Sequence, residues 1–401
     1  MEAGTTMKRS IALSLFAVVV AALALPQQGP DMLALYRNNF RNANRPVKLE
    51  LLRSAQNEPA EQLGPFYEDA ARYIATNLRD LASDPRLQEM LQLTNQGAAA
   101  SGHTATLEPF WYIFEGYREA RRRLELLDTF REIGSGNSDL IVRLTGWLES
   151  RNEEFRLGSF TTDLRVIDAA VRTLGEFGDP RSFAALMDAA IVGYSGTITA
   201  AARNALQSID GSIVEHAVVA FRDKPVEDKL EAFDFFFRGD DLSPQQKDEF
   251  VTAALDNVLS ARIVGEETLP MLRQMRYQAN IYLRDREYAP ATEALIGHFN
   301  RTYAEFDRGD TPQAYLIEAI EALGAMGTEA AARRLTEFLD LINRYTEFER
   351  PFNTDITLAT LRNLERIGSA VAYNSLFYTT LLNYPPRVKN SARQAMQALN
   401  R

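Results

Sequence analysis

The chain has 401 residues, of which 46% are hydrophobic and 24% charged, a balance typical of a folded globular protein rather than a disordered one. Its formal charge of −10 disfavours duplex nucleic acid or anionic lipid as the main partner, because affinity for phosphate comes from clustered Lys and Arg. The lack of cysteine excludes a disulfide framework and a lipoprotein anchor, and the length exceeds what one compact core normally serves, so several domains or a repeat array is expected.

Met7-Lys8-Arg9 precedes an apolar run from Ile11 to Leu25 that closes on Ala22-Leu23-Ala24. This is the layout of a secretory signal peptide cleaved after Ala24, and the run is short for a membrane span of about 20 apolar residues. Residues 1–24 are therefore expected to be lost on export to the periplasm, leaving no stable membrane insertion. They carry Glu2, Lys8 and Arg9, so the remainder stands at −11.

Residues 25–96 read as an irregular N-terminal helical cap. Arg45-Pro46 begins a segment with Val47, Leu49, Leu51 and Leu52, and a longer helix is expected from about Gln62 to Ala82. Asp84-Pro85 has the cap-plus-proline form of a helix start and opens a short helix through Leu87, Met90, Leu91 and Leu93. Gln96 to His103 is small and polar without periodicity, so 97–108 reads as a linker or loop.

From 109 to 401 a repeat array is expected. A long helix runs from Phe110 to about Ile133, and a second follows the Gly134-Ser135-Gly136-Asn137-Ser138 turn with Leu140, Ile141, Leu144, Trp147 and Leu148. Val166 to Ile191 is the clearest unit. Val166, Ile167, Ala170, Val171, Leu174 and Phe177 make one apolar stripe at helical spacing; Gly178 ends that helix, and Asp179-Pro180 starts the next, with Phe183, Leu186, Met187, Ala190 and Ile191 on its stripe. A hydrophobic residue, three positions and then an apolar-Gly pair recur as Phe130/Ile133-Gly134, Leu174/Phe177-Gly178, Leu323/Met326-Gly327 and Leu364/Ile367-Gly368. The first two glycines lie 44 residues apart and the last two 41, near the two-helix solenoid period of roughly 40 to 47. No strand is expected anywhere.

Ala170 to Arg181, with Ala201 to Leu206 and the copy from Ala319 to Leu335, resembles the HEAT family, specifically the short HEAT-like repeats of the phycobilisome-lyase type. The resemblance covers about two thirds of the chain beyond residue 24. It implies an all-α fold, an α-solenoid of stacked antiparallel helix pairs forming a superhelix. It also implies that Arg172, Asp179, Arg181 and Arg203 help neighbouring repeats stack rather than form a site.

A catalytic centre needs polar groups converging on one pocket. His103, His216 and His298 are far apart and show no metal spacing, so they read as a solvated linker residue and two ordinary helix positions. Asp240-Asp241 and Glu266-Glu267 read as capping or solvated acids. Arg121-Arg122-Arg123 reads as a solvated helix face rather than a phosphate site. Gly134-Ser135-Gly136 lacks the strand and lysine of a phosphate loop. Neither catalysis, a cofactor nor a metal is expected. Two aromatic clusters stand out, Phe110, Trp111, Tyr112 and Phe114 with Tyr117, and Phe235, Phe236 and Phe237 after Phe233. Consecutive aromatics go round a helix, so some are expected at the surface as partner-binding anchors. The expected function is that of a non-catalytic exported scaffold that binds another protein through its concave face; the alternative is a carbohydrate-active or cell-wall-binding protein on an α/α scaffold.

Overall fold

The computed structural model describes residues 32–261, 268–350 and 352–399, and every regular element among them is a helix. The expected signal segment and Glu266-Glu267 lie outside these residues. No helix among them is long and apolar enough to cross a membrane. The chain divides into two compact units, 1–177 and 178–401.

The first unit holds α1 (Met32–Asn42), α2 (Arg45–Ala55), α3 (Gly64–Thr76), α4 (Pro85–Ser101), α5 (Leu107–Gly116), α6 (Ala120–Ile133), α7 (Ser138–Arg156) and α8 (Leu164–Phe177). Alternate helices pack side by side, α1, α3, α5 and α7 in one row and α2, α4, α6 and α8 in the other. Each helix thus has neighbours along its row and across the layer. A single amphipathic pair cannot bury two such faces alone, which is why the helices stack.

Several starts follow from sequence chemistry alone. The side chains of Asn44, Asp84 and Asn137 accept hydrogen bonds from the first-turn amides of Val47, Arg86 and Leu140. Pro46 and Pro85 sit in the first turn, where a missing N–H costs nothing.

The second unit, by itself, holds α9 (Phe183–Ile191), α10 (Gly196–Ser208), α11 (Ile213–Asp223), α12 (Val226–Arg238), α13 (Pro244–Ser260), α14 (Thr268–Arg286), α15 (Thr292–Asp307), α16 (Gln313–Met326), α17 (Glu329–Glu347), α18 (Thr354–Ile367), α19 (Tyr373–Leu381) and α20 (Pro386–Leu399). One row runs through α9, α11, α13, α15, α17 and α19, the other through α12, α14, α16, α18 and α20. Gly178, Gly327 and Gly368 take the left-handed conformation at φ 65°, 64° and 70°, whereas Gly134, the other glycine of the repeat pattern, ends α6 in the right-handed region at φ −95°. The fold is a HEAT-like α-solenoid.

Buried asparagines join helices along a row. Asn95 on α4 donates to the Glu125 carbonyl on α6 at 2.7 Å, and Asn343 on α17 donates to the Ser375 carbonyl on α19 at 3.1 Å. Thr129 and Thr379 return hydrogen bonds to the same two side chains, so both amide ends are satisfied inside the core.

Three sequence expectations differ from what is observed. Residues 97–101 are helix, completing α4, and 104–108 continue as a short turn into α5, so the expected linker is not one. The reason is packing: a Cβ on Gly97 would lie 2.1 Å from the Tyr67 ring, so this glycine marks a close contact between α3 and α4. The expected helix from 62 to 82 stops at Thr76, and residues 78–80 form a separate 3-10 turn. The expected helix from 110 to 133 is broken into α5 and α6. Arg123 stabilises that break, its guanidinium donating to the carbonyls of Phe114, Glu115 and Tyr117 at 2.9 to 3.1 Å where α5 ends.

Candidate functional site

The two aromatic clusters turn out to be largely core. Phe110 and Phe114 are fully buried, Trp111 nearly so, and Tyr117 is half-buried. Phe235 and Phe236 are buried and Phe237 is half-buried. Phe236 packs 5.1 Å from Phe250 between ring centroids, and Phe237 packs 5.5 Å from Tyr282. Burying each such ring is worth about 1.5–3 kcal/mol, which fixes their orientation more strongly than a transient partner would. Tyr112 alone among the eight is exposed. The predicted anchors are thus, apart from Tyr112, residues of the packing between helices.

Around Tyr112 the first unit forms an open groove of about 680 Å³ between α5 and α7. Its floor is Trp111, Trp147 and Arg123, all buried. Tyr112, Glu115, Arg118, Arg143, Ser150 and Arg151 complete the lining with Gly146. Phe114 lies 5.1 Å from Trp147 between ring centroids and holds it from behind. The guanidiniums of Arg123 and Arg151 lie 5.8 and 5.7 Å from the Trp147 ring.

The arginines differ in how well they are neutralised. Arg143 pairs with Asp139 at 2.9 Å and Arg151 with Glu154 at 2.6 Å. Arg123 meets only carbonyls, and burial pushes its pKa down to about 10, with Arg151 and Arg118 adding repulsion. Arg118 is exposed and has no carboxylate within ion-pair distance among the described residues. The run Arg121-Arg122-Arg123 is therefore not a solvated face: Arg121 is exposed, but Arg122 and Arg123 are buried. Sequence reasoning missed Arg143 and Arg151, although both stand four residues from Trp147 and hence on its face of α7.

The second unit carries a different feature, an exposed apolar face on α19. Tyr373, Phe377 and Leu381 are spaced by four residues and are 42%, 48% and 63% exposed, with Tyr378 beside them at 37%. The opposite side of the same short helix, Leu376 and Thr379, is buried. The Glu347 carboxylate at the end of α17 lies near Tyr378 and raises its pKa, and Phe348 beside it is also exposed. A groove of about 500 Å³ lies there, lined by Leu341, Arg344, Tyr345, Phe348 and Arg350. The signal was present as large apolar residues on both sides of α19, Leu376 on one and Phe377 on the other, but periodicity does not say which side meets the neighbour.

The remaining candidates resolve as structure. His103 is not a solvated linker residue; it lies 3.1 Å from Glu68 and packs against Gly64. His216 bonds the Asp210 carbonyl at 2.8 Å, and His298 is fully buried. No group of three or more His, Asp or Glu suited to a metal occurs among the described residues. Arg203 reaches from α10 to Asp241 beyond α12 and lies 4.4 Å from the Phe235 ring, the stacking role expected of it. Arg172 instead pairs within its own helix with Asp168 at 2.8 Å, and Arg181 folds back onto Asp179 at 2.6 Å. Asp179 caps the amide of Arg181.

Residues 166–191 and 316–340 match the family model of the PBS lyase HEAT-like repeat. Among solved structures, a circular tandem repeat protein with novel repeat topology and enhanced subunit contact surfaces aligns over 92% of this chain and 86% of its own, at 14% identity and a TM-score of 0.21. No curated protein matches the chain. The two matched repeats contain neither the Arg–Trp groove nor α19, so both features lie outside the part the family describes.

Proposed function

We propose that this protein is a non-catalytic, exported scaffold or assembly protein whose HEAT-like repeats bind another protein. The observation that carries the reading is the apolar face of α19. Four large side chains at helical spacing, exposed on a helix already anchored by its other side, are what a rigid binding platform presents. A repeat solenoid holds such a face in place without spending its own core on it. Export rests on the charged start, apolar run and small-residue site of residues 7–24.

The carbohydrate-active alternative has no comparable support. It requires two carboxylates facing each other across a groove. The groove lined by Trp111, Tyr112 and Trp147 holds one carboxylate, Glu115, beside four arginines.

The test is photocrosslinking in the cell of origin, with a benzoylphenylalanine placed at Phe377 and, as control, at exposed Glu61 on the other unit. One stoichiometric adduct from position 377, lost in a Tyr373→Asp, Leu381→Asp background that still folds, is expected. Equal adduct patterns from both positions would overturn the partner-binding reading. Export is checked separately by the mass of the cellular protein, which should begin at Leu25; a chain retaining residues 1–24 in the cytoplasm would refute it.

A further inference from the structure

We propose that the Arg–Trp groove of the first unit is a binding site for a multivalent anionic ligand, gripped by Arg118, Arg143 and Arg151 over the Trp111–Trp147 floor. This inference stands independently of the α19 reading. Four observations carry it.

The first is charge reversal. In a chain of net charge −10, the groove gathers four arginines against Glu115 in its lining and Asp139 and Glu154 paired to Arg143 and Arg151, which leaves one positive charge in excess. Like charges in one concavity repel one another, and an anion relieves that repulsion.

The second is unused donor capacity. A guanidinium carries five N–H groups, and the single carboxylate partners of Arg143 and Arg151 leave part of each fork for a further acceptor. The Nε of Arg151 is buried with no hydrogen-bond partner among the described residues, and Arg118 is unpaired among them at the mouth. Arg123 brings a buried positive charge to the floor with carbonyls as its only hydrogen-bond acceptors.

The third is Gly146. It lies in the interior of α7, where glycine is costly relative to alanine, yet a Cβ there would meet nothing within 4 Å. Packing therefore does not explain it. At Gly97, by contrast, glycine is demanded by the Tyr67 ring. At position 146 the missing side chain keeps the groove open.

The fourth is size. About 680 Å³ falls in the range of small-molecule sites and is far more than one inorganic phosphate needs. The ligand is accordingly a molecule with a body that lies along Trp111, Trp147 and Tyr112, and with at least two negative charges for the arginines. Its charges are phosphate or paired carboxylates.

The chain has two tryptophans, Trp111 and Trp147, and both line this groove, so tryptophan fluorescence, excited selectively over the tyrosines, reports on the site alone. The full-length protein is titrated with pyrophosphate and, separately, with citrate at constant ionic strength. A saturable fluorescence change is expected with at least one. Pyrophosphate alone assigns phosphate chemistry, citrate alone assigns carboxylates, and both assign recognition by charge. Arg118→Gln and Arg143→Gln should each weaken binding about tenfold, the scale of one charge-assisted contact. Gly146→Leu should abolish it by filling the groove while leaving every charge in place. Arg118 makes no hydrogen bond or ion pair among the described residues that its loss would break, so that variant decides the question even if Gly146→Leu unfolds. Absence of a saturable change with both anions, or equal affinity in wild type and Arg118→Gln/Arg143→Gln, overturns the proposal.

Discussion

Arg276 on α14 and Glu305 on α15 form an ion pair at 2.7 Å with side chains only 2% and 1% exposed. Arg301 also reaches Glu305, at 3.1 Å, and Arg273 faces it at 3.6 Å. A carboxylate so placed neutralises Arg276, which is cut off from water, while Arg273 and Arg301 keep part of their surface in solvent. Removing it leaves Arg276 charged and buried, which costs about 3–5 kcal/mol. Glu305→Ala should therefore lower the urea midpoint strongly; a loss below about 1 kcal/mol would mean that the site is hydrated.

His298 sits in the same layer, fully buried, with Nε2 3.4 Å from the Thr302 hydroxyl. Burial, aided by the Arg276 charge, pushes its pKa down to about 3. The folded state thus binds fewer protons than the unfolded state, whose histidine titrates near 6.5. This contribution to stability is complete above about pH 6.5 and is lost as pH falls from there towards 3, at about 1.4 kcal/mol per unit. Urea titrations at pH 7 and pH 5 should show the wild type losing about 2 kcal/mol more than His298→Gln. A difference that does not change with pH would refute the assignment.

Arg203 and Asp241 join α10 to the chain beyond α12, with Asp241 almost buried and Arg203 about one-third exposed. Arg172 and Asp168, by contrast, form a pair within one helix with Arg172 half exposed. Double-mutant cycles should give a coupling of about 1 kcal/mol for the first pair and no more than about 0.5 kcal/mol for the second. Equal couplings would show that Arg203 has no special place in stacking.

Gly324 and Gly146, both inside helices, should respond to alanine with opposite sign. At Gly324 a Cβ would lie 1.9 Å from Asn363 Oδ1 and 2.6 Å from its Cβ, so α16 and α18 must move apart. The expected cost is about 1–3 kcal/mol. At Gly146 nothing is in the way, and alanine should stabilise by about 0.5–1 kcal/mol through helix propensity. Thermal melts of the two variants side by side test both claims at once.

Local chemistry was enough for much of this molecule. Period-3.6 stripes, Asp-Pro starts and terminal glycines determined that the chain is all helix, that Gly178, Gly327 and Gly368 end helices, and that two-helix units recur. These features depend on neighbours within a turn or two, and the sequence lists those neighbours. What it does not contain is the identity of the surface across the gap. By sequence Gly97 reads as linker, yet Tyr67 packs against it, and Arg123 reads as solvated, yet it closes the end of α5. Phe236 and Phe377 are both aromatic residues on apolar helices, yet one is core and the other exposed. Only the packing of one helix on the next decides between them, because burial belongs to a pair of surfaces and a sequence describes one surface at a time. The Arg–Trp groove has the same origin, since its arginines come from α6, α7 and the turn between α5 and α6, and only the tertiary structure brings them together.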